Sequence, residues 1–201
     1  MQNSYTQIAQ FGRILGSLFY AEPNTEQNQL LVALLQNGEW QAECLFLSEN
    51  KRSEIQKNLQ NATSEQLNEA YQALFIGPNA LPAPPWGSVY LDKESVLFGD
   101  SLLHLRTFLS DNQIAFSLNQ NEPEDHIGLM LMLAAYLAEA TPHLLKPFFA
   151  EHLLPWAYRF FELFNAESYP FYQGLGKLTE SLLREWQKNL EIQPLVLQLY
   201  R

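Results

Sequence analysis

The sequence predicts an all-α protein, a compact helical bundle carrying one long Pro-rich loop and one hinge. Apolar residues recur at three- and four-residue spacings through most of the 201 residues. Threonine, asparagine, glycine and proline stand where helices start or stop. No segment makes a convincing sheet, and no internal repeat is present.

The first helix is expected over Tyr5–Tyr20, where Ile8, Phe11, Leu15, Leu18 and Phe19 share a face, with Pro23 just beyond it. A second covers Thr25–Gln36 and stops at Asn37-Gly38. Gln41–Leu47 reads as either a short helix or a buried extended run, with helix favoured by its neighbours. Lys51–Asn61 is polar and compatible with a helix. Thr63, with Gln66 three residues on, forms a capping box for a helix over Ser64–Ile76 that aligns Leu67, Tyr71, Leu74 and Phe75.

The next segment, Gly77–Asp92, holds four prolines, two glycines, Trp86 and Tyr90. Proline removes an amide donor and restricts the residue before it, so the segment reads as a defined, largely extended loop. Trp86 is then either a pin for a long connection or an aromatic held ready for a partner.

A helix is expected from Lys93 to about Ser110, capped by Asp92 and using Val96, Leu97, Leu102, Leu103, Leu105, Phe108 and Leu109. Ile114–Leu118 reads as a strand or a turn, and the polar stretch Asn119–Pro123 as a hinge joining 1–118 to 123–201 within a single domain. Helices follow from Pro123 or Glu124 to Glu139, over Pro142–Asn165 with Pro147 and Pro155 kinking or dividing it, and over Phe171–Asn189. The apolar tail, Leu195-Val196-Leu197, is long enough to pack back on the body.

Hydrophobic residues make up 47% of the chain and aromatics 13%, enough for a sizeable core and too many for general disorder. The formal charge of −10 argues against a basic nucleic-acid-binding surface and fits either a soluble protein or one that attracts a cationic ligand. A single cysteine, Cys44, rules out an internal disulfide and reads as a small buried hydrophobe. The start has no basic region followed by an apolar core, and the near-apolar run Ile127–Ala138 is shorter than the roughly 20 residues of a membrane helix. A cytoplasmic protein without stable membrane insertion is therefore expected.

Few residues suggest catalysis. The histidines are widely spaced, and HExxH, GxSxG and a full phosphate-binding loop are absent, so no metal or cofactor is expected. Gly174 and Gly176 read as packing positions. The densest polar cluster is Glu122, Glu124, Asp125 and His126. One reading puts these acids in a first helical turn, favoured by the dipole. The other lets Asp125 and His126 line a groove, where a carboxylate pairs specifically with a guanidinium. Tyr71, Leu74, Phe75 and Trp86 could be core, or could converge into an aromatic groove for an apolar segment. A small acid–base enzyme using His126 with Asp125 or Glu122 is a competing reading, as is a helical scaffold for part of a redox enzyme.

Two motifs carry a resemblance. GPNALPAPPWGSVYLD (77–92) looks like the loop of the DmsD branch of the TorD/DmsD redox-enzyme maturation chaperones, and Glu122-Pro-Glu-Asp-His126 resembles that family's E-P-x-D-H hinge motif. The likeness covers nearly the whole chain. It implies an all-α, cytoplasmic, non-enzymatic chaperone without a cofactor. Such a protein binds the twin-arginine signal peptide of a molybdoenzyme precursor, here the catalytic chain of dimethyl sulfoxide reductase. It prevents premature export, with the Tat translocase as a further partner and a monomer as the default state. The peptide-binding positions it implies are Tyr71, Leu74, Phe75, Pro85, Trp86, Asp125 and His126, supported by Glu122 and Glu124. Tyr71 departs from the tryptophan of a relative but keeps an aromatic platform.

Overall fold

Helix α1, Gln2–Tyr20, and helix α7, Ile127–Ala140, cross at the centre of the molecule. The computed structural model describes residues 2–115 and 122–201. Hinge positions 119–121 and positions 116–118 of the strand-or-turn segment lie outside the described residues.

The crossing is close because its contact positions have no side chains. A Cβ on Gly16 would lie 2.6 Å from the Gly128 carbonyl oxygen, and one on Gly128 would lie 2.6 Å from that of Gly16. A Cβ on Gly12 would stand 2.6 Å from the Leu131 oxygen. Helix α7 is buried nearly all round, with Ile127, Leu131, Ala134 and Leu137 fully enclosed. This is why its sequence is apolar throughout instead of on one stripe.

Around this pair stand α2 (Glu26–Gln36), α3 (Glu49–Leu59), α4 (Ser64–Tyr71), α6 (Asp100–Asp111), α8 (Pro142–Phe148), α9 (Leu154–Phe164) and α10 (Pro170–Asn189). The core is strongly aromatic, with Phe19 in edge contacts to Phe75, Phe160, Phe161 and Phe164. The capping box at Thr63 and Gln66 forms in both directions, and Thr25 caps α2. Gly174 packs on Leu59 and Gly176 on Phe164, as small positions should. Cys44 is buried, which pushes its thiol up to about 12.

Several expectations need correction. Gln41–Leu47 is not a helix; a short 3₁₀ turn, Glu39–Glu43, precedes turns. The helix expected from Lys93 starts at Asp100, leaving Val96 and Leu97 exposed. Its N-cap, Gly99, has no side chain, so Asp92 reaches across the intervening turn: its carboxylate accepts from Ser101 N at 3.2 Å and Ser101 Oγ at 2.6 Å. The Pro-rich loop ends in a short helix, α5 (Ser88–Leu91). Helix α4 widens into a π turn, Gln72–Ile76, closed by Gly77 at φ 105°, a conformation that glycine adopts without strain. A second π turn, Phe149–Leu153, divides the long helix expected over Pro142–Asn165. Pro155 cannot donate to the carbonyl four residues back and its ring crowds it, and the wider turn relieves both problems.

The tail packs back. Leu195 N donates to Ala150 O at 2.9 Å, Tyr200 N to Tyr90 O at 2.9 Å, and Arg201 Nη2 to Leu81 O at 2.9 Å. The last residue thereby holds the start of the Pro-rich loop. No helix of the described residues is long and apolar enough to cross a membrane.

Replacing Gly16 by valine forces α1 from α7 and should lower the unfolding free energy by about 3 kcal/mol in urea titrations. A loss within a few tenths would show that the crossing tolerates a side chain.

Candidate functional site

The Pro-rich loop and the acidic motif meet through their backbones. Ile127 N donates to Pro85 O at 2.7 Å and Gly87 N to Asp125 O at 3.1 Å, forming an isolated antiparallel bridge between Trp86 and His126. These hydrogen bonds flank the Trp86–His126 pair, which is thus the close, non-hydrogen-bonded kind with adjacent side chains. The two rings meet edge to face with centroids 6.0 Å apart. Gly87 is required here, since a Cβ would lie 2.7 Å from Trp156 Nε1.

Asp125 lies in a turn, closed where His126 N donates to Pro123 O at 3.1 Å. The rings of Trp86 and His126 meet on one side of the junction, while the Asp125 carboxylate turns to Ser88 N. On the ring side His126 also meets Tyr20 at 5.5 Å and Phe75 at 6.5 Å, and Phe75 contacts Tyr71 at 5.1 Å. The Tyr71 hydroxyl donates to the Tyr20 carbonyl at 2.8 Å. Tyr71, Leu74, Phe75 and His126 are all buried and build the wall, whereas Trp86 is half-buried and Ile76 exposed. Pro85 is buried beside the bridge.

Two carboxylates border this wall. Glu122 accepts a 2.5 Å hydrogen bond from Trp86 Nε1, which fixes the indole. Burial raises the Tyr71 hydroxyl to about 12, with Glu22 and Glu122 adding to the shift through their charge. Tyr20 is raised by burial and by Glu122. Glu124, in contrast, is occupied by Arg106 of α6, whose Nε lies 2.9 Å and Nη2 2.8 Å from the carboxylate.

The acidic cluster does not form a helical first turn. Helix α7 begins at Ile127, and His126 is its N-cap, with Nδ1 accepting from Gly128 N at 3.1 Å. His126 is buried, which lowers its pKa to about 3 and keeps it neutral at ordinary pH. Asp125 is only 4% exposed; Ser88 N donates to its Oδ2 at 2.6 Å, while Oδ1 is enclosed without a partner. Burial raises its carboxyl above the ordinary value, with the Ser88 bonds opposing the rise. His126 and Asp125 thus serve different faces and do not form an acid–base pair.

Sequence reasoning missed Tyr20, Glu22, Ser88 and Asn28. Buried Asn28 Nδ2 donates to Ala21 O at 2.8 Å and Glu22 O at 3.1 Å, holding the chain where it leaves α1. The spacing Gly12, Gly16, Tyr20 was a readable signal, since it puts Tyr20 on the α1 face that contacts α7. Ser88 gave no such signal.

The described residues form an all-α fold in which this bridge joins the Pro-rich loop to the start of α7. Residues 44–162 match a family model described as "Nitrate reductase delta subunit". The chain is 49% identical over all of both chains to the probable Tat proofreading chaperone DmsD of Haemophilus influenzae. It is 46% identical to the Tat proofreading chaperone DmsD of Salmonella typhi, covering 94% of this chain and 93% of that one. A putative redox enzyme maturation protein from Archaeoglobus fulgidus shares the fold at a TM-score of 0.55, with 20% identity over 95% of this chain and 94% of the other. The chain belongs to the TorD/DmsD family of redox-enzyme maturation chaperones, on its DmsD branch. It is a chaperone and not an enzyme.

The buried histidine has a pH consequence. An unfolded histidine binds its proton near pH 6.5, whereas His126 in the fold does so near 3. The unfolded chain holds the extra proton between these values, so stability falls as pH drops through that window. His152, lowered by burial to about 4, acts in the same direction. Asp125, raised by burial, acts in the opposite one. Asparagine at position 126 can still cap α7 but cannot titrate. His126→Asn should therefore reduce the stability lost between pH 6.5 and 5 by about 2 kcal/mol, read by urea unfolding at both pH values. An unchanged loss would show that His126 is not held neutral.

Proposed function

We propose that the chain binds the twin-arginine signal peptide of a molybdoenzyme, the catalytic chain of dimethyl sulfoxide reductase, shields the precursor during maturation, and releases it for export. The observation that carries this reading is the backbone bridge that seats Trp86 against His126 beside an aromatic wall bordered by Glu22 and Glu122. A signal peptide combines arginines with an apolar stretch. Carboxylates attract the first, and aromatic and aliphatic surface receives the second.

The implied residues divide by position. Trp86, with Tyr20, Ile76, Glu22 and Glu122, presents accessible surface to the peptide. Tyr71, Leu74, Phe75, Pro85 and His126 form the wall that holds this surface in place. Asp125 stands behind the bridge, and Glu124 is tied to Arg106 and steadies the loop. The protein works by binding and release in a single domain. Relatives named as Tat proofreading chaperones support the reading, as does the net charge of −10.

Isothermal titration with the intact leader and a twin-lysine version tests it. The intact leader should bind, and the twin-lysine version more weakly, because lysine cannot make the bidentate contact. Trp86→Ala should weaken leader binding by about 2 kcal/mol, near thirtyfold, with the melting curve little changed. Glu122→Gln, which can still accept from the indole, should weaken it by about 1 kcal/mol. A folded protein that ignores both leaders would sink the reading.

A further inference from the structure

The Pro-rich loop is poor in hydrogen-bond donors. Pro78, Pro82, Pro84 and Pro85 have no amide to give, and among the described residues no main-chain N–H from Asn79 to Trp86 donates to a main-chain carbonyl. Ala83, Pro84 and Pro85 are buried, so packing keeps the middle of the loop inside. Its two ends are set by donors from elsewhere. At one end Ile127 N reaches Pro85 O at 2.7 Å. At the other, Arg201 Nη2 donates to Leu81 O at 2.9 Å and to Pro82 O at 3.3 Å.

Arg201 is itself held. Its main-chain oxygen accepts from Arg159 Nε of α9 at 3.1 Å, and Arg159 Nη1 pairs with Glu162 at 2.8 Å. Beside it, Tyr200 N donates to Tyr90 O of α5 at 2.9 Å, and the Tyr90 ring stacks on Trp156 of α9 with centroids 5.5 Å apart. The tail thus ties the start of the loop, and the short helix that ends it, to one support. It runs clear of the aromatic wall: Leu195 and Leu197 line a cavity of about 330 Å³ with Gly87, Leu91 and Trp156, and neither Trp86 nor His126 lines it.

We infer that Arg201 is a positioning residue for Trp86: the tail straps the Pro-rich loop from outside the peptide-binding surface, and leader affinity depends on it. Stiff prolines at 84 and 85 separate the strapped carbonyls from Trp86, so a shift at Leu81 and Pro82 is carried to the indole instead of being absorbed between them. A loop already fixed in place gives up less freedom when a peptide binds. Arginine suits the task, because its planar head offers several donors in a fixed array and one nitrogen here spans two successive carbonyls. The inference rests on the leader-binding reading and adds to it a residue that acts without touching the peptide.

The test compares the full chain with Arg201→Met, which keeps the stem and loses the donors, and Arg201→Lys, which keeps a cation with donors. Arg201→Met should bind the intact leader about fivefold more weakly in isothermal titration, with an unchanged melting curve, since the contact is exposed. Arg201→Lys should recover part of the loss. The direction is diagnostic: removing a positive charge makes the chain more acidic, which by itself strengthens attraction for a cationic leader. In the leader-free protein, Arg201→Met should also speed hydrogen exchange of the bridge amides of Gly87 and Ile127 about fivefold, leaving the amides of α1 unchanged. An unchanged leader affinity overturns the inference, and so does a rise, which would make the tail a competitor of the leader. A loss that tracks a lower melting temperature and is not recovered by lysine overturns it too, since the role is then structural. A wild-type chain that binds no leader overturns the proposed function, while exchange at Gly87 and Ile127 still decides whether Arg201 holds the loop.

Discussion

The close crossing of α1 and α7 is the constraint on which the rest depends. Gly12, Gly16 and Gly128 let two helix backbones approach until each would be struck by the other's Cβ. That distance sets where the C-terminal end of α1 lies relative to the start of α7. Tyr20 and His126 meet there because the crossing leaves no freedom to place them elsewhere. The remaining helices bury their apolar faces against this pair, and the aromatic wall around Phe19 and Phe75 fills the space it leaves.

A two-residue bridge then does for the site what a sheet would do in another fold. It joins segments about forty residues apart through main-chain hydrogen bonds, which do not depend on side-chain identity. Prolines suit such a strand: Pro85 is needed only as an acceptor, and its missing amide is not missed. The turn that leads into His126 divides the acidic motif into two environments. His126 is spent on capping α7 and on ring contacts, and burial holds it neutral. Asp125 is spent partly on Ser88 and retains one unpaired oxygen. Buried groups of this kind are costly unless another interaction compensates.

Helix starts and stops were the most legible features. Thr63 and Gln66 formed the capping box that their spacing announces, and Thr25 and Gly38 bounded α2 as their local preferences require. The apolar run Ile127–Ala138 was recognisable as a buried helix for the same reason, since its composition leaves no polar face. Less legible were elements decided at a distance. Asp92 directly follows α5 yet caps α6 through a turn, and Val96 and Leu97, apolar in sequence, are exposed because α6 begins after them. The two π turns answer to local crowding and to packing, and neither leaves a periodic trace. Tyr20 and Glu22 belong to no motif and enter the site through the helix crossing.

By itself, the sequence determined the helical class, most helix boundaries, the buried cysteine and the two motifs that define the family, because these depend on local backbone preferences and on short-range order of residue types. Only the tertiary structure decided which residues share a surface. It paired Trp86 with His126, set Asp125 behind them, tied Glu124 to Arg106 and left Glu122 on Trp86. Those outcomes follow from how close two helices can approach and from the bridge that joins two distant loops, and neither is a property of any one segment.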